Sequence, residues 1–177
     1  SADFLGNEFA YLVDHKMPGA TELQRCQALG AHVAKYYEDY HVEDRLSELL
    51  AKTFRSDKKT TRPPKLKGSA ATIRALVKFG DLAAQQFLSD AVPVEAAMKN
   101  AAHHLENCYD SMHMVNEHLG HDALYHRSKT LAHKYGALHG AVGGGVSWRP
   151  MPKMNVFLEL CSAYTEPQKF WNYRDED

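Results

Sequence analysis

Apolar residues recur at the three- and four-residue spacing of amphipathic helices along most of the chain. This pattern predicts seven helices, over about 1–13, 21–40, 42–54, 69–91, 93–119, 122–140 and 153–164. Only short patches such as 146–148 are candidates for strand pairing, and no internal repeat is visible. We therefore expect an all-α fold, a single-domain helical bundle of about six to seven helices.

Capping residues and helix breakers divide these segments. Thr21 and Gln24 have the spacing of a capping box, and Ser69 is placed to cap the fourth helix. Pro63 and Pro64 predict a basic, proline-containing loop before that helix, because proline is not tolerated in a helix interior. A glycine-rich loop is expected over 140–152.

Chain length and composition favour one globular domain. The 177 residues suit a helical domain over 1–165 followed by an aromatic and acidic C-terminal tail over 166–177. No apolar run approaches the roughly 20 residues that span a bilayer, so no membrane span is expected. The three widely spaced cysteines form no CxxC pair. Their pattern predicts small buried thiols and an intracellular, reducing compartment.

The distribution of charge is strongly asymmetric. Between Lys52 and Lys78 the chain has nine basic residues and one acidic residue, Asp57, which gives a formal charge of +8. The remainder has 12 basic and 21 acidic residues, a formal charge of −9. A basic segment of this kind can bind phosphates by releasing counterions.

The basic segment is therefore the predicted contact surface for nucleic acid or another polyanion. Its candidate residues are Lys52, Arg55, Lys58, Lys59, Arg62, Lys65, Lys67, Arg74 and Lys78. No aromatic residue lies between Arg55 and Lys78, which argues against base stacking on this segment. A solvated loop and a contact between copies of the chain remain alternatives, and so does a structural subunit of a larger complex.

Histidine is the second compositional bias. Eight of the 11 histidines lie between His103 and His139, so a metal- or haem-binding protein is the main alternative. Glu38 with His41, and Asp110 with His113, have the i, i+3 spacing that lets a carboxylate and an imidazole meet one metal. The stripe formed by Glu106, Asp110, His113 and Glu117 lies opposite the apolar stripe of the same helix, which favours a solvent-facing role instead.

Motifs of enzyme active sites are not recognised in the sequence. No serine has the G-x-S-x-G context, and no nucleophile and base are paired by a known spacing. The glycines over 140–145 match neither a P-loop nor a dinucleotide-binding fingerprint. The sequence therefore favours a non-enzymatic binding or assembly subunit, with no cofactor preferred.

Overall fold

A computed structural model describes residues 1–55, 62–114, 121–144, 147–150 and 152–162. Across these residues the secondary structure consists of seven α-helices, and it includes no strand. The helices are α1 (Ala2–His15), α2 (Glu22–Asp39), α3 (Ala51–Phe54), α4 (Ala70–Phe87), α5 (Pro93–Met114), α6 (His121–Ala141) and α7 (Pro152–Ser162). The predicted all-α bundle of six to seven helices is confirmed.

None of the helices in the described part of the chain combines the length and the apolar character needed to cross a bilayer.

The chain divides into two compact helical units. The first, Ser1–Leu88, contains α1 to α4, and within it α1 contacts α2, α3 and α4. The second begins at Ser89 and contains α5 to α7, and within it α6 contacts α5 and α7. The predicted boundary between helical domain and tail, at 165/166, lies outside the described residues and stays a prediction.

Helix α1 forms the centre of the first unit. Its Leu5, Phe9 and Leu12 are fully buried. The ring of Phe9 meets Phe79 of α4 edge to face, with centroids 5.8 Å apart, and Tyr36 of α2 packs on the same Phe79 at 5.5 Å. Because burying each large apolar side chain stabilises by roughly 1.5–3 kcal/mol, these residues of α1 contribute much of the stability of the first unit.

The two predicted helix caps are confirmed. Thr21 Oγ1 accepts from the Gln24 amide at 3.2 Å, and Gln24 Oε1 accepts from the Thr21 amide at 3.1 Å, which completes the capping box. Ser69 Oγ accepts from the Thr72 amide at 3.1 Å at the start of α4.

The helix predicted over 42–54 is shorter than expected, because only Ala51–Phe54 is helical. Side chains bond to the backbone of the preceding segment in place of helical hydrogen bonds. The Leu46 amide donates to Tyr37 Oη at 3.0 Å, and Arg45 Nε donates to the Val42 carbonyl at 2.6 Å. Such bonds compete with a helix, so this prediction was wrong over 42–50.

An extended segment over 62–67 packs against α1 at Gly6. The Leu66 amide donates to the Ala2 carbonyl at 2.9 Å, and the Asn7 side chain donates to the Pro64 carbonyl at 3.2 Å. A Cβ atom at Gly6 would lie 2.5 Å from both the Leu66 nitrogen and the Lys65 Cα. The backbones can therefore approach this closely only because position 6 has no side chain.

A carboxyl group lies in the contact between α1 and α4. Glu8 is 0% exposed, and neither of its oxygens has a hydrogen-bond partner among the described residues. It faces Gly80, where a Cβ atom would lie 2.9 Å from Glu8 Oε2. Burial, and secondarily the charge of Asp81, raise the pKa of Glu8 well above its ordinary value.

The second unit has its own small core and polar network. Met112, Leu124 and Cys161 are buried together, with Phe157 packed beside them. Arg127 joins α6 to α5 by donating to the Asn107 carbonyl at 2.9 Å and to Ser111 Oγ at 2.8 Å. All three cysteines of the chain are free and buried, as predicted, and burial raises the pKa of Cys108 to about 12.

A methyl group at position 6 should destabilise the first unit. We expect Gly6→Ala to cost about 1–3 kcal/mol in the free energy of unfolding, because rigid backbone rather than a flexible side chain would have to move. The matched control is Gly30→Ala in α2, where the new Cβ would meet only Leu49 Cβ, at an ordinary 3.6 Å. That change should stabilise by about 0.5–1 kcal/mol through helix propensity. Urea unfolding of both variants measures the difference, and equal shifts would refute the close contact.

The buried Glu8 should make stability depend on pH. An acid with a raised folded-state pKa contributes its full stability below its ordinary pKa of 4.5 and loses it as pH rises towards the folded value. We therefore expect the free energy of unfolding of Glu8→Gln to exceed that of wild type increasingly above about pH 5. Denaturant titrations from about pH 4 to about pH 8 check this, with Glu38→Gln, at an exposed position, as the control. Parallel pH profiles for Glu8→Gln and wild type would contradict it.

Candidate nucleic-acid interface

A cleft of about 560 Å³ opens in the first unit beside the start of α4. Two chain segments line it, through residues 45–48, 50 and 52–53, and through residues 67–69 and 72. Arg45, Lys52 and Lys67 supply three positive charges, and Glu48 supplies one negative charge. The tertiary structure thus gathers two of the predicted basic residues, Lys52 and Lys67, with a third that the sequence analysis did not select.

Backbone pairing holds Lys67 at the rim of this cleft. The Lys67 amide donates to the Thr53 carbonyl, and the Lys65 amide donates to the Phe54 carbonyl, both at 2.8 Å. Leu66 between them is fully buried, which anchors the extended segment. Lys67 and Lys52 are exposed, whereas Lys65 is half-buried.

Arg45 is positioned by the end of α2. Its guanidinium lies 5.6 Å from the ring centroid of Tyr37, and its Nε donates to the Val42 carbonyl. Burial raises the pKa of Tyr37, so its hydroxyl stays protonated while it accepts from the Leu46 amide. The pattern of charges did not identify Arg45, because Arg45 precedes the basic segment 52–78 and only the fold brings it into the same cleft as Lys67.

Arg55 is paired inside the unit. Its guanidinium forms ion pairs with Asp14 of α1 and Glu22 of α2, and it also donates to the Ala10 carbonyl at 3.4 Å. The hydrogen bond that Arg55 donates to the Asp14 carboxylate is the main cause that raises the pKa of Arg55. The sequence analysis selected Arg55 as a contact for a polyanion, but the structure places it as a link between α1, α2 and the end of α3.

Of five further predicted basic residues, three do not line the cleft and two lie outside the described residues. Arg62, Arg74 and Lys78 are exposed, and the last two lie four residues apart on the outward face of α4. Lys78 Nζ lies 4.7 Å from the ring centroid of Tyr40, an aromatic residue that the sequence analysis did not connect with this surface. Lys58 and Lys59 lie outside the described residues.

The alternative metal ligands do not form a recognisable centre in the part of the chain that the structure describes. Glu38 and His41 are exposed at the end of α2, and Asp110 is exposed on α5. No group of three or more histidine, cysteine or acidic residues there could hold a metal ion. The side chain of His113 lies outside the described residues, so this alternative stays a prediction, as does haem.

Comparisons with known proteins give no relative for this arrangement. No family model matches the chain, and neither a curated protein nor a solved structure matches it.

Loss of the ion-paired Arg55 and loss of the exposed Lys52 should have different effects on the free energy of unfolding. We expect Arg55→Gln to lower the free energy of unfolding by about 1–3 kcal/mol, because it leaves Asp14 and Glu22 without their shared cation in a partly buried site. Lys52→Gln, at an exposed position three residues earlier, should change it by less than about 0.5 kcal/mol. Urea unfolding measures both values. Equal effects would show that the Arg55 pairs contribute no more than an exposed lysine.

Proposed function

We propose that this protein is a non-enzymatic helical binding subunit that contacts a polyanion, with nucleic acid the leading candidate, through the cleft formed by Arg45, Lys52 and Lys67. The observation that carries the proposal is that three cations, two from residues 45–53 and one from residues 67–72, line one cleft. None of them forms an ion pair with another described residue. A cation without an ion-pair partner can take up a phosphate and release a counterion.

Other exposed cations of the first unit support the proposal. Arg62, Arg74 and Lys78 are exposed and add three positive charges to this unit. Glu48 offsets one of the three cleft charges, so the cleft keeps an excess of positive charge. We leave Arg55 out of the surface, because Asp14 and Glu22 already neutralise it.

Self-association is a second part of the proposal. The chain outside 52–78 has a formal charge of −9, which suits contact between that part of one copy and the basic surface of the next. Copies arranged in this way could follow a long polyanion. The alternative of a structural subunit that docks through its C-terminal aromatic residues rests on 166–177, outside the described residues.

Salt titration of binding tests the proposal. We expect the affinity for fluorescent single-stranded RNA or DNA to fall as salt rises, because binding releases counterions. The double variant Lys52→Gln/Lys67→Gln should weaken binding about tenfold near 0.1 M salt. It should also reduce the slope of log affinity against log salt by about 1.4, since each phosphate contact on a single strand contributes about 0.7. Fluorescence anisotropy measures both quantities.

A control with the same change in net charge makes the test specific. Lys35→Gln/Lys129→Gln removes two cations, on α2 and α6, that do not line the cleft. It should keep both the wild-type slope and nearly the wild-type affinity. Absence of binding at low salt, binding that does not respond to salt, or equal losses in the two double variants would refute the proposal.

A further inference from the structure

An exposed aromatic ring lies beside Lys78, one of the predicted basic residues. Tyr40, the residue that ends α2, is 46% exposed. Its ring packs against the ring of Tyr36, and the two ring centroids lie 4.8 Å apart. Tyr36 is itself buried and donates its hydroxyl to the Ala75 carbonyl of α4 at 2.9 Å, so the support is fixed to two helices.

The chain connects this ring to the cations of the cleft. The loop that begins after Tyr40 reaches Arg45 five residues later, and that residue lines the cleft. On α4, Lys78 lies over the Tyr40 ring, and Arg74 lies one turn nearer the start of the helix, where Ser69 and Thr72 line the cleft. Tyr40 therefore supplies an aromatic ring that the stretch between Arg55 and Lys78 lacks.

We propose that Tyr40 stacks on an unpaired base and that Lys78 contacts the adjoining phosphate, so the polyanion is single-stranded nucleic acid. This inference rests on the proposed function, in which Arg45, Lys52 and Lys67 contact the backbone. Phosphate contacts alone do not distinguish single strands from duplexes. A protruding aromatic ring does, because the flat faces of bases are accessible only where they are not already stacked in a duplex.

Lys78 changes its partner when the base binds. In the free protein its ammonium group lies on the Tyr40 ring, and an exposed contact of this kind is weak. Stacking of a base on an aromatic ring is stronger, and the displaced ammonium gains a phosphate oxygen as a charged partner. This exchange of partners therefore favours binding. It makes and breaks no covalent bond.

Three probes of equal length separate base stacking from phosphate contact. They are a single-stranded oligonucleotide, the same strand made abasic throughout, and the corresponding duplex. We expect wild type to bind the single strand most tightly, and Tyr40→Leu to weaken that binding about 5- to 100-fold. The abasic strand should bind both proteins alike, because it keeps the phosphates and lacks the bases. Tyr40→Phe should behave as wild type, since it keeps the ring.

Tyr125→Leu is the matched control. Lys129 lies over the ring of Tyr125, 5.2 Å from its centroid, and neither residue lines the cleft, so this variant removes the same kind of contact without changing the cleft. It should leave all three affinities unchanged, and circular dichroism establishes that each variant is folded. Base stacking is refuted if Tyr40→Leu weakens binding of the abasic strand as much as binding of the normal strand, or weakens binding of neither.

The same measurements distinguish failure of this inference from failure of the proposed function. If the single strand, the abasic strand and the duplex all bind wild type equally and with salt dependence, the phosphate-binding cleft stands and the assignment of Tyr40 is wrong. If none of the three probes binds at low salt, the proposed function fails, and this inference fails with it.

Discussion

The close contact of α1 with the extended segment over 62–67 organises the first unit. Gly6 lets two backbones meet at a distance that any side chain would prevent. The contact buries Leu66, and through the amides of Lys65 and Lys67 it holds the same segment against the end of α3. One wall of the basic cleft is therefore fixed by packing on α1, a helix that contributes no residue to the cleft itself.

Charge has two separate roles in this unit. Arg55 lies between Asp14 and Glu22 and links the helices that bear them, whereas Lys52 and Lys67 remain exposed at the cleft. Loss of a cation that two carboxylates share leaves both without a partner, so Arg55 contributes to the stability of the fold. Exposed cations contribute little to folding and much to the surface potential, which suits them to binding.

Local features of the fold could be predicted because they depend on residues close in sequence. The capping box of Thr21 and Gln24 and the cap at Ser69 each use partners three residues apart. The helix expected over 42–54 shows the limit of such reasoning. Its apolar spacing fits a helix. However, the Leu46 amide donates to the hydroxyl of Tyr37, nine residues earlier, and the spacing of apolar residues does not reveal this hydrogen bond.

The sequence by itself determined the all-α class, most helix positions, the buried free cysteines and the concentration of positive charge over 52–78. Only the tertiary structure decided that Arg55 is paired, that Arg45 joins Lys52 and Lys67, and that Tyr40 meets Lys78. The physical reason is distance along the chain. Periodicity shows which face of a helix is apolar, whereas the partner of a charged or aromatic side chain depends on which faces meet, and that is set by packing of the whole unit.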